Sequence, residues 1–392
     1  MREAVIVSAV RTPVGKAPRG MFRTLGPEVM AVAAIKGALE RVPALDPAEI
    51  DDCIFGCAFP EAEQGLNIGR NYSLQAGLPQ SVPGFTLNRF CASGLQAIAL
   101  GAQAIMSGMA DVILAGGVES MSRVTPGGNK PIYNNELQDI AYGIYMSMGL
   151  TAEEVASRFN ITREEQDIFA SESHMRALAA QAEGRFDEEI VPVEVKRWLP
   201  GPDGSVIETT TIATKDEGPR PGSTVEVLGR LKPVFKKDGT VTAGNSSQTS
   251  DGAAAAIVMS AEKAEALGIE PLGRFVAFAA AGCDPSVMGI GPVFAVPKVL
   301  KLAKLKLEDI DLIELNEAFA SQSVYCMKKL GLDREILNVN GGAIALGHPL
   351  GATGAKLVAT LLHEMRRRKS RYGIVTMCAA GGLGAAAIFE RI

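Results

Sequence analysis

The run Ala4-Val5-Ile6-Val7-Ser8-Ala9-Val10 is apolar but too short for a signal-peptide core, and it passes directly into the charged turn Arg11-Thr12-Pro13. It reads as a first core strand. Toward both ends of the chain, short β-branched runs alternate with Ala-rich helical segments, the pattern of βαβ units around a mostly parallel sheet. The stretch 121–240 differs. It opens with a Gly/Pro/Asn loop (Thr125 to Asn135), followed by two Thr-x-x-Glu signals, Thr151/Glu154 and Thr162/Glu165, each predicting a capped helix start. The second predicts a helix with Ile168, Phe169, Met175, Leu178 and Ala182 inward, ending near Gly184. Strand-like pieces at Ile190 to Val195 and Ser205 to Ile212 then precede the Pro/Gly-rich Glu217 to Gly222, and the whole reads as an inserted subdomain.

Self-similarity appears at one constant offset. Ile50-Asp51 against Ile310-Asp311, Ala58-Phe59 against Ala318-Phe319, and Ser93-Gly94 against Thr353-Gly354 all lie 260 positions apart. Two related halves flanking an insertion are expected, with a site drawing on strand ends and helix N-termini of both.

Length agrees: 392 residues exceed one ordinary domain, as two similar domains or a duplicated unit with an insertion would. Charge narrows the partners. With 39 Lys+Arg and 44 Asp+Glu the net is −5, both signs are scattered, and no nucleic-acid footprint is present. Hydrophobic residues make up 47% and charged ones 21%, and no apolar stretch approaches the ~20 residues of a bilayer span, so no membrane span is expected. The six cysteines include no Cys-x-x-Cys pair, which argues against a disulfide framework or a zinc site and favours a reducing, cytoplasmic location.

Four segments could carry chemistry. Asn88 to Gly94 sets Cys91 just before a helix beginning near Gly94, where the helix dipole and free N–H groups would lower a thiol pKa; a buried structural cysteine is the other reading. Asn340 to Gly354 holds His348 in a Gly/Pro loop ahead of a helix, as a general base or as a packed loop histidine. The remaining histidines, His174 and His363, fall in charge-rich helical stretches and are expected in solvent. Val375 to Gly384 is a strand ending in Cys378 and small residues whose N–H groups could bind an oxyanion; its glycines match neither the dinucleotide fingerprint nor the P-loop. Asn316 and Glu317 follow an apolar strand, Asp311 to Leu315, as site residues or as an ordinary strand-to-helix cap.

Taken together, Asn88-Arg89-Phe90-Cys91-Ala92-Ser93-Gly94-Leu95-Gln96-Ala97, Gly116-Gly117-Val118-Glu119-Ser120-Met121-Ser122, Asn316-Glu317-Ala318-Phe319-Ala320, Asn340 to Pro349 and Cys378-Ala379-Ala380-Gly381-Gly382 resemble the thiolase family over nearly the whole chain. The resemblance implies a five-layered αβαβα fold of two pseudo-repeated halves with mixed sheets and an inserted loop domain. The expected division is 1–120 with 241–268, 121–240, and 269–392. It further implies cleavage of 3-ketoacyl-CoA by CoA. Cys91 would be the acyl-carrying nucleophile, His348 its base, Cys378 the second acid/base, and Asn316 the holder of a water at the enolate. The oxyanion hole would comprise the N–H groups of Cys91 and of Ala380, where the family commonly has glycine.

For CoA, a co-substrate and not a permanently bound cofactor, the resemblance points to Arg220 at the adenosine phosphate end, Ser247 along the pantetheine arm, and Phe235, Phe319 and Met148 lining the path. No metal is expected. Ser147 before Met148-Gly149, where short-chain biosynthetic thiolases typically carry His, and a short 121–148 segment favour the degradative, broader-chain enzymes and a homodimer, with a tetramer possible. Acetyl-CoA acetyltransferase is the alternative. Cys378 argues against the Cys-His-His ketoacyl synthases, and the intact trio against a silent lipid-binding relative or a Cys-His peptidase.

Overall fold

The computed structural model describes residues 2–200, 203 and 205–392. Its strands are β1 (Ala4–Arg11), β2 (Gly15–Lys16), β3 (Asp52–Gly56), β4 (Gly84–Leu87), β5 (Val112–Ser120), β6 (Val193–Pro200), β7 (Val206–Ala213), β8 (Ser250–Ser260), β9 (Gly273–Gly282), β10 (Leu312–Leu315), β11 (Tyr372–Ala379) and β12 (Leu383–Glu390). The helices are α1 (Pro27–Glu40), α2 (Ile68–Gln75), α3 (Ser93–Met106), α4 (Asn135–Ile140), α5 (Met148–Arg158), α6 (Arg163–Ala182), α7 (Val225–Gly229), α8 (Ala261–Ala266), α9 (Gly291–Ala303), α10 (Ala320–Leu330), α11 (Ala343–Leu346) and α12 (Leu350–Arg368).

The main sheet runs β10-β11-β12-β9-β1-β8-β5-β3-β4. Its two halves meet where β1 pairs with β9 over only Val5↔Arg274 and Ile6↔Gly273. On either side of that seam the order repeats: β3-β5-β8-β1 in one half, β10-β11-β12-β9 in the other, each with a parallel first pair and antiparallel partners after it. β3 and β10 start 260 positions apart, as do β5 and β11.

Alternation along these strands builds the layers, because successive side chains point to opposite faces. In the first half, Ile54, Ile113, Ala115, Ala254 and Val258 face α3 and α12 in the centre, while Cys53, Phe55, Val112, Leu114 and Ile257 face α1 and α2 outside. In the second, Val375 and Met377 face the centre, whereas Ile374, Ala386 and Ile388 face α9. With both faces covered, the strands are apolar throughout. The result is five layers, helix, sheet, helix, sheet, helix. The segment Pro285–Ala303, a 3-10 stretch running into α9, is apolar over 19 residues, but it is mostly buried and α9 packs on β9 and β12 as a core helix.

The central pair α3 and α12 approach closely because glycine lies at the contact. A Cβ at Gly94 would stand 2.8 Å from Gly351 O, and one at Gly354 would stand 2.2 Å from Leu95 N. The N-terminal ends of the two helices are therefore juxtaposed, and those ends carry the segments around Cys91 and His348.

The insertion contains α4 to α7 and the β6–β7 hairpin. Three expectations, two of them confined to the insertion, are corrected. Thr162 and Glu165 do form a capping box, but α5 begins at Met148, and Thr151 lies inside it with its hydroxyl donating to Met148 O at 2.7 Å. On α6 Phe169 is inward as expected and Leu178 half-buried, but Ile168, Met175 and Ala182 are exposed; the rest of the buried face is Ala170, Ala177 and Ala180 with the polar Gln166, Asp167, Ser171, Ser173 and His174. Polar partners set that face: Ser173 Oγ donates to Glu317 Oε2 at 2.6 Å, and Asp167 Oδ1 accepts from Asn245 Nδ2 at 2.9 Å. The third concerns histidines. His174 and His363 are each only 7% exposed; His174 Nδ1 accepts from Arg220 N at 3.2 Å, and His363 Nε2 reaches Ala9 O at 3.1 Å.

Candidate active site

Cys91 sits in the 3-10 turn Phe90–Ala92 that leads into α3. The turn is held by side chains: Asn88 Oδ1 accepts from Phe90 N at 2.7 Å, and Ser93 Oγ accepts from Arg89 N at 2.9 Å while donating to Phe90 O at 2.6 Å. Phe90 is forced to φ +46, a conformation a bulky residue adopts only when its surroundings over-determine it. Strain thus sits beside the thiol. Burial pushes that thiol up to about 12, with Glu119 adding to the rise, while the N–H groups of Cys91 and Ala380 pull the other way. The helix-end effect expected from sequence is present but is outweighed by desolvation.

Those two N–H groups act on one sulfur from different halves, Cys91 from the turn before α3 and Ala380 from the residue after β11. Alanine is accommodated at 380 because the left-handed turn residues are Gly381 and Gly382, both at φ +79.

His348 is 4% exposed, between the φ +92 turn at Gly347 and the start of α12. Its tautomer is assigned from the hydrogen bonds around the ring. Thr353 Oγ1 donates its only hydrogen to Pro349 O at 3.0 Å, so at 2.6 Å from His348 Nδ1 it acts as acceptor and the proton is on Nδ1. Nε2 therefore carries the lone pair, 3.2 Å from Asn316 Nδ2. Burial, with the Lys356 charge adding, lowers the imidazole to about 3, leaving a neutral base. Asn316 itself is fixed where β10 ends, its N–H donating to Thr376 O at 2.9 Å, and its Oδ1 is buried without a protein partner.

Cys378 lies at the C-terminal end of β11, fully buried, its thiol well above the ordinary range through burial and then through the neighbouring Cys91. Met148, Phe319, Met288 and Ala318 pack around it. Phe235 stands edge-on to Phe319 at 6.1 Å between centroids, and lies so close over Gly149 that a Cβ there would be 2.1 Å from its ring. Ser247 joins this wall through its N–H to Ala318 O at 2.9 Å. Arg220 stands apart, exposed on a loop whose Gly218 abuts Ala345 two residues before Gly347. Among the described residues no group of three His, Cys, Asp or Glu is arranged to hold a metal.

Sequence reasoning passed over the supporting residues. Glu119 accepts from Ala58 N (2.8 Å), Gly351 N (2.9 Å) and Gln64 Nε2 (2.8 Å), tying the α12 N-terminus to the loop after β3. Thr353 sets the His348 tautomer. Gln322 touches Cys378. Their signal was polarity at positions that the helix and strand periods assign to the interior, as in Ala320-Ser321-Gln322-Ser323.

A buried thiol, a neutral imidazole, a second thiol and two convergent N–H groups on a duplicated α/β scaffold define a cysteine acyltransferase. Family models describing the thiolase N-terminal and C-terminal domains match residues 4–262 and 269–391. The chain belongs to the thiolase family. It is 55% identical over 390 residues to the 3-ketoacyl-CoA thiolase of Bacillus subtilis, covering 100% of both chains. It is 47% identical to the peroxisomal 3-ketoacyl-CoA thiolase 1 of Arabidopsis thaliana, over 99% of this chain and 88% of that one. Among solved structures, the Bacillus anthracis acetyl-CoA acetyltransferase superposes with a TM-score of 0.90 at 40% identity, covering 100% of this chain and 99% of that one. The human mitochondrial 3-ketoacyl-CoA thiolase gives 0.87 at 39%, with the same coverage. As a thiolase, the protein is an acyltransferase that works on CoA thioesters.

Proposed function

We propose that this chain is a 3-ketoacyl-CoA thiolase of the fatty-acid β-oxidation type, cleaving 3-ketoacyl-CoA with CoA to acetyl-CoA and a shortened acyl-CoA. The observation that carries the reading is the pairing of two buried thiols with one neutral imidazole, since thiolysis needs a nucleophile and two separate proton transfers. His348 Nε2 takes the Cys91 proton and Sγ adds to the 3-keto carbon. The bond between C2 and C3 breaks, and the Cys378 thiol protonates the departing acetyl-CoA enolate. The resulting Cys378 thiolate takes the proton of incoming CoA, whose sulfur adds to the acyl carbon; the Cys91 thiolate leaves and regains its proton from His348. In that second half the N–H groups of Cys91 and Ala380 hold the oxyanion. The unpartnered Asn316 Oδ1 supports its role in holding a water at the enolate oxygen.

Phe235, Phe319 and Met148 would line the CoA path with Ser247 along the pantetheine arm, Arg220 would meet the phosphates at the rim, and CoA would come and go as co-substrate with no resident cofactor. The division 1–120 with 241–268, 121–240 and 269–392 makes the insertion the CoA cover, contributing Met148, Arg220 and Phe235, with Ser247 from the first half and Phe319 from the second. A homodimer and a cytoplasmic location complete the proposal, the latter on six unpaired cysteines. Synthesis of acetoacetyl-CoA, as an acetyl-CoA acetyltransferase, is the second reading, supported by the superposition on the Bacillus anthracis enzyme.

Two measurements test this. Mass spectrometry after incubation with acetoacetyl-CoA should find an acetyl adduct on Cys91, absent in Cys91→Ser, and retained without turnover in Cys378→Ser; a stable adduct elsewhere overturns the assignment. Thiolysis rates along a series from acetoacetyl-CoA to 3-ketodecanoyl-CoA should stay appreciable at the longer chains. Restriction to acetoacetyl-CoA would favour the second reading.

A further inference from the structure

Gln322, in the first turn of α10, is completely buried. Its neighbours dictate how its amide lies. With the oxygen accepting from Ser323 N at 2.8 Å, the nitrogen donates to the main-chain oxygen of Asn316 at 3.2 Å. The Cys378 sulfur is 3.6 Å from the same terminal amide, and in this orientation the atom facing it is the nitrogen, whose second hydrogen is otherwise unused. Gly289 makes room for the arrangement: a Cβ there would stand 2.6 Å from Gln322 Cβ.

We propose that Gln322 is a positioning residue for the second proton transfer: one amide N–H anchors on the Asn316 main chain, and the other donates to Cys378 Sγ when that sulfur is a thiolate. The inference rests on the acid/base role of Cys378 proposed above. In thiolysis the Cys378 S–H gives its proton to the acetyl-CoA enolate carbon and keeps the S–H electron pair; the thiolate then takes the proton of CoA. Between the two steps a thiolate must persist in a site where burial strongly disfavours it. The titratable groups acting most strongly on it are Cys91 before α3, Cys326 on α10 and Cys283 after β9, thiols that raise rather than lower its proton affinity. A donor fixed at both ends opposes that penalty. By sharing Asn316 with His348, Gln322 also couples the geometry of the two proton-transfer groups.

The test compares Gln322→Met, which keeps shape and removes the N–H, with Gln322→Glu, which places a carboxylate at the sulfur. Loss of a hydrogen bond to an ionised group predicts, for Gln322→Met, a fall of about tenfold or more in thiolysis kcat. The basic limb of its pH profile should move up by about one unit, because Cys378 holds its proton more tightly. Gln322→Glu should lose more and move the limb further. Alkylation of Cys91 by iodoacetamide, which needs Cys91 and His348 but not Cys378, should keep its wild-type rate in both. An unmoved limb, or Cys91 alkylation slowed in step with kcat, overturns the proposal in favour of a merely structural residue; so does full activity of Gln322→Met. Should Gln322→Met not fold, Gln322→Glu alone decides by the direction of its limb. Failure of the underlying reading is separate: it would appear in the wild-type background as normal turnover by Cys378→Ser.

Discussion

A thiol pushed up to about 12 and an imidazole lowered to about 3 rest as thiol and neutral imidazole, not as a thiolate–imidazolium pair. On the proposed mechanism, charge separation waits for the substrate, whose carbonyl carbon captures the sulfur as the proton leaves. The base must then be ready on the correct nitrogen, and Thr353 secures that. Replacing Thr353 by Val keeps the volume but removes the acceptor at 2.6 Å, leaving the His348 Nδ1–H buried and unpaired, at a cost of about 1–3 kcal/mol. Thr353→Val should lower kcat/KM by about tenfold or more through loss of the favoured tautomer, with a modest fall in Tm. Steady-state thiolysis kinetics together with a thermal melt check both; unchanged kcat/KM would show that ring orientation is set elsewhere.

At the scale of elements, what the sequence displayed and what it concealed have distinct causes. The duplication was legible because residues at the 260 offset occupy equivalent turns: Ile50 and Ile310 both end a 3-10 turn ahead of β3 and β10. The segments around Cys91, His348 and Cys378 stood out in the sequence because each lies at an element end among small residues, where hydrophobic periodicity breaks. The face of α6 was not. Its buried face is set by contacts to Glu317, Asn245 and Arg220, which lie far along the chain, so apolar spacing pointed Ile168 and Met175 the wrong way. Burial of His174 has the same origin, and desolvation, then the charges of Arg220 and Lys16, lower it to about 4. The thiol pKa of Cys91 was misread for a related reason: a helix end can be seen in sequence, whereas complete desolvation is a property of the packed whole.

Across the molecule, one buried charge cluster joins the insertion to both halves. Arg11, at the end of β1, donates through Nε to Glu189 at 2.5 Å and forks onto Asp216 at 2.7 and 3.0 Å. Asp216 also accepts from Val14 N at 2.8 Å, and Glu189 from Thr360 Oγ1 on α12 at 2.9 Å. Burial opposes the Arg11 charge, but the two carboxylates outweigh it and keep the guanidinium ionised. Glu189 and Asp216 belong to the insertion, Thr360 to the helix whose N-terminus follows His348, so the cluster holds the proposed CoA cover against the catalytic halves. Arg11→Met removes the cation paired with both carboxylates, leaving the fully buried Lys356 as the remaining positive charge acting on them, a change that costs about 3–5 kcal/mol. Its Tm should fall by several degrees, and KM for CoA should rise as the cover loosens. Neutralising the acids as well, in Arg11→Met with Glu189→Gln and Asp216→Asn, should restore much of the Tm, because the penalty lies in unpaired charge and not in lost packing. Recovery of Tm without recovery of KM would mean that the fork onto Asp216 orients the cover beyond stabilising it. No recovery of either would locate the loss in the packing of the Arg11 side chain over the Phe186 ring, 5.1 Å from its centroid.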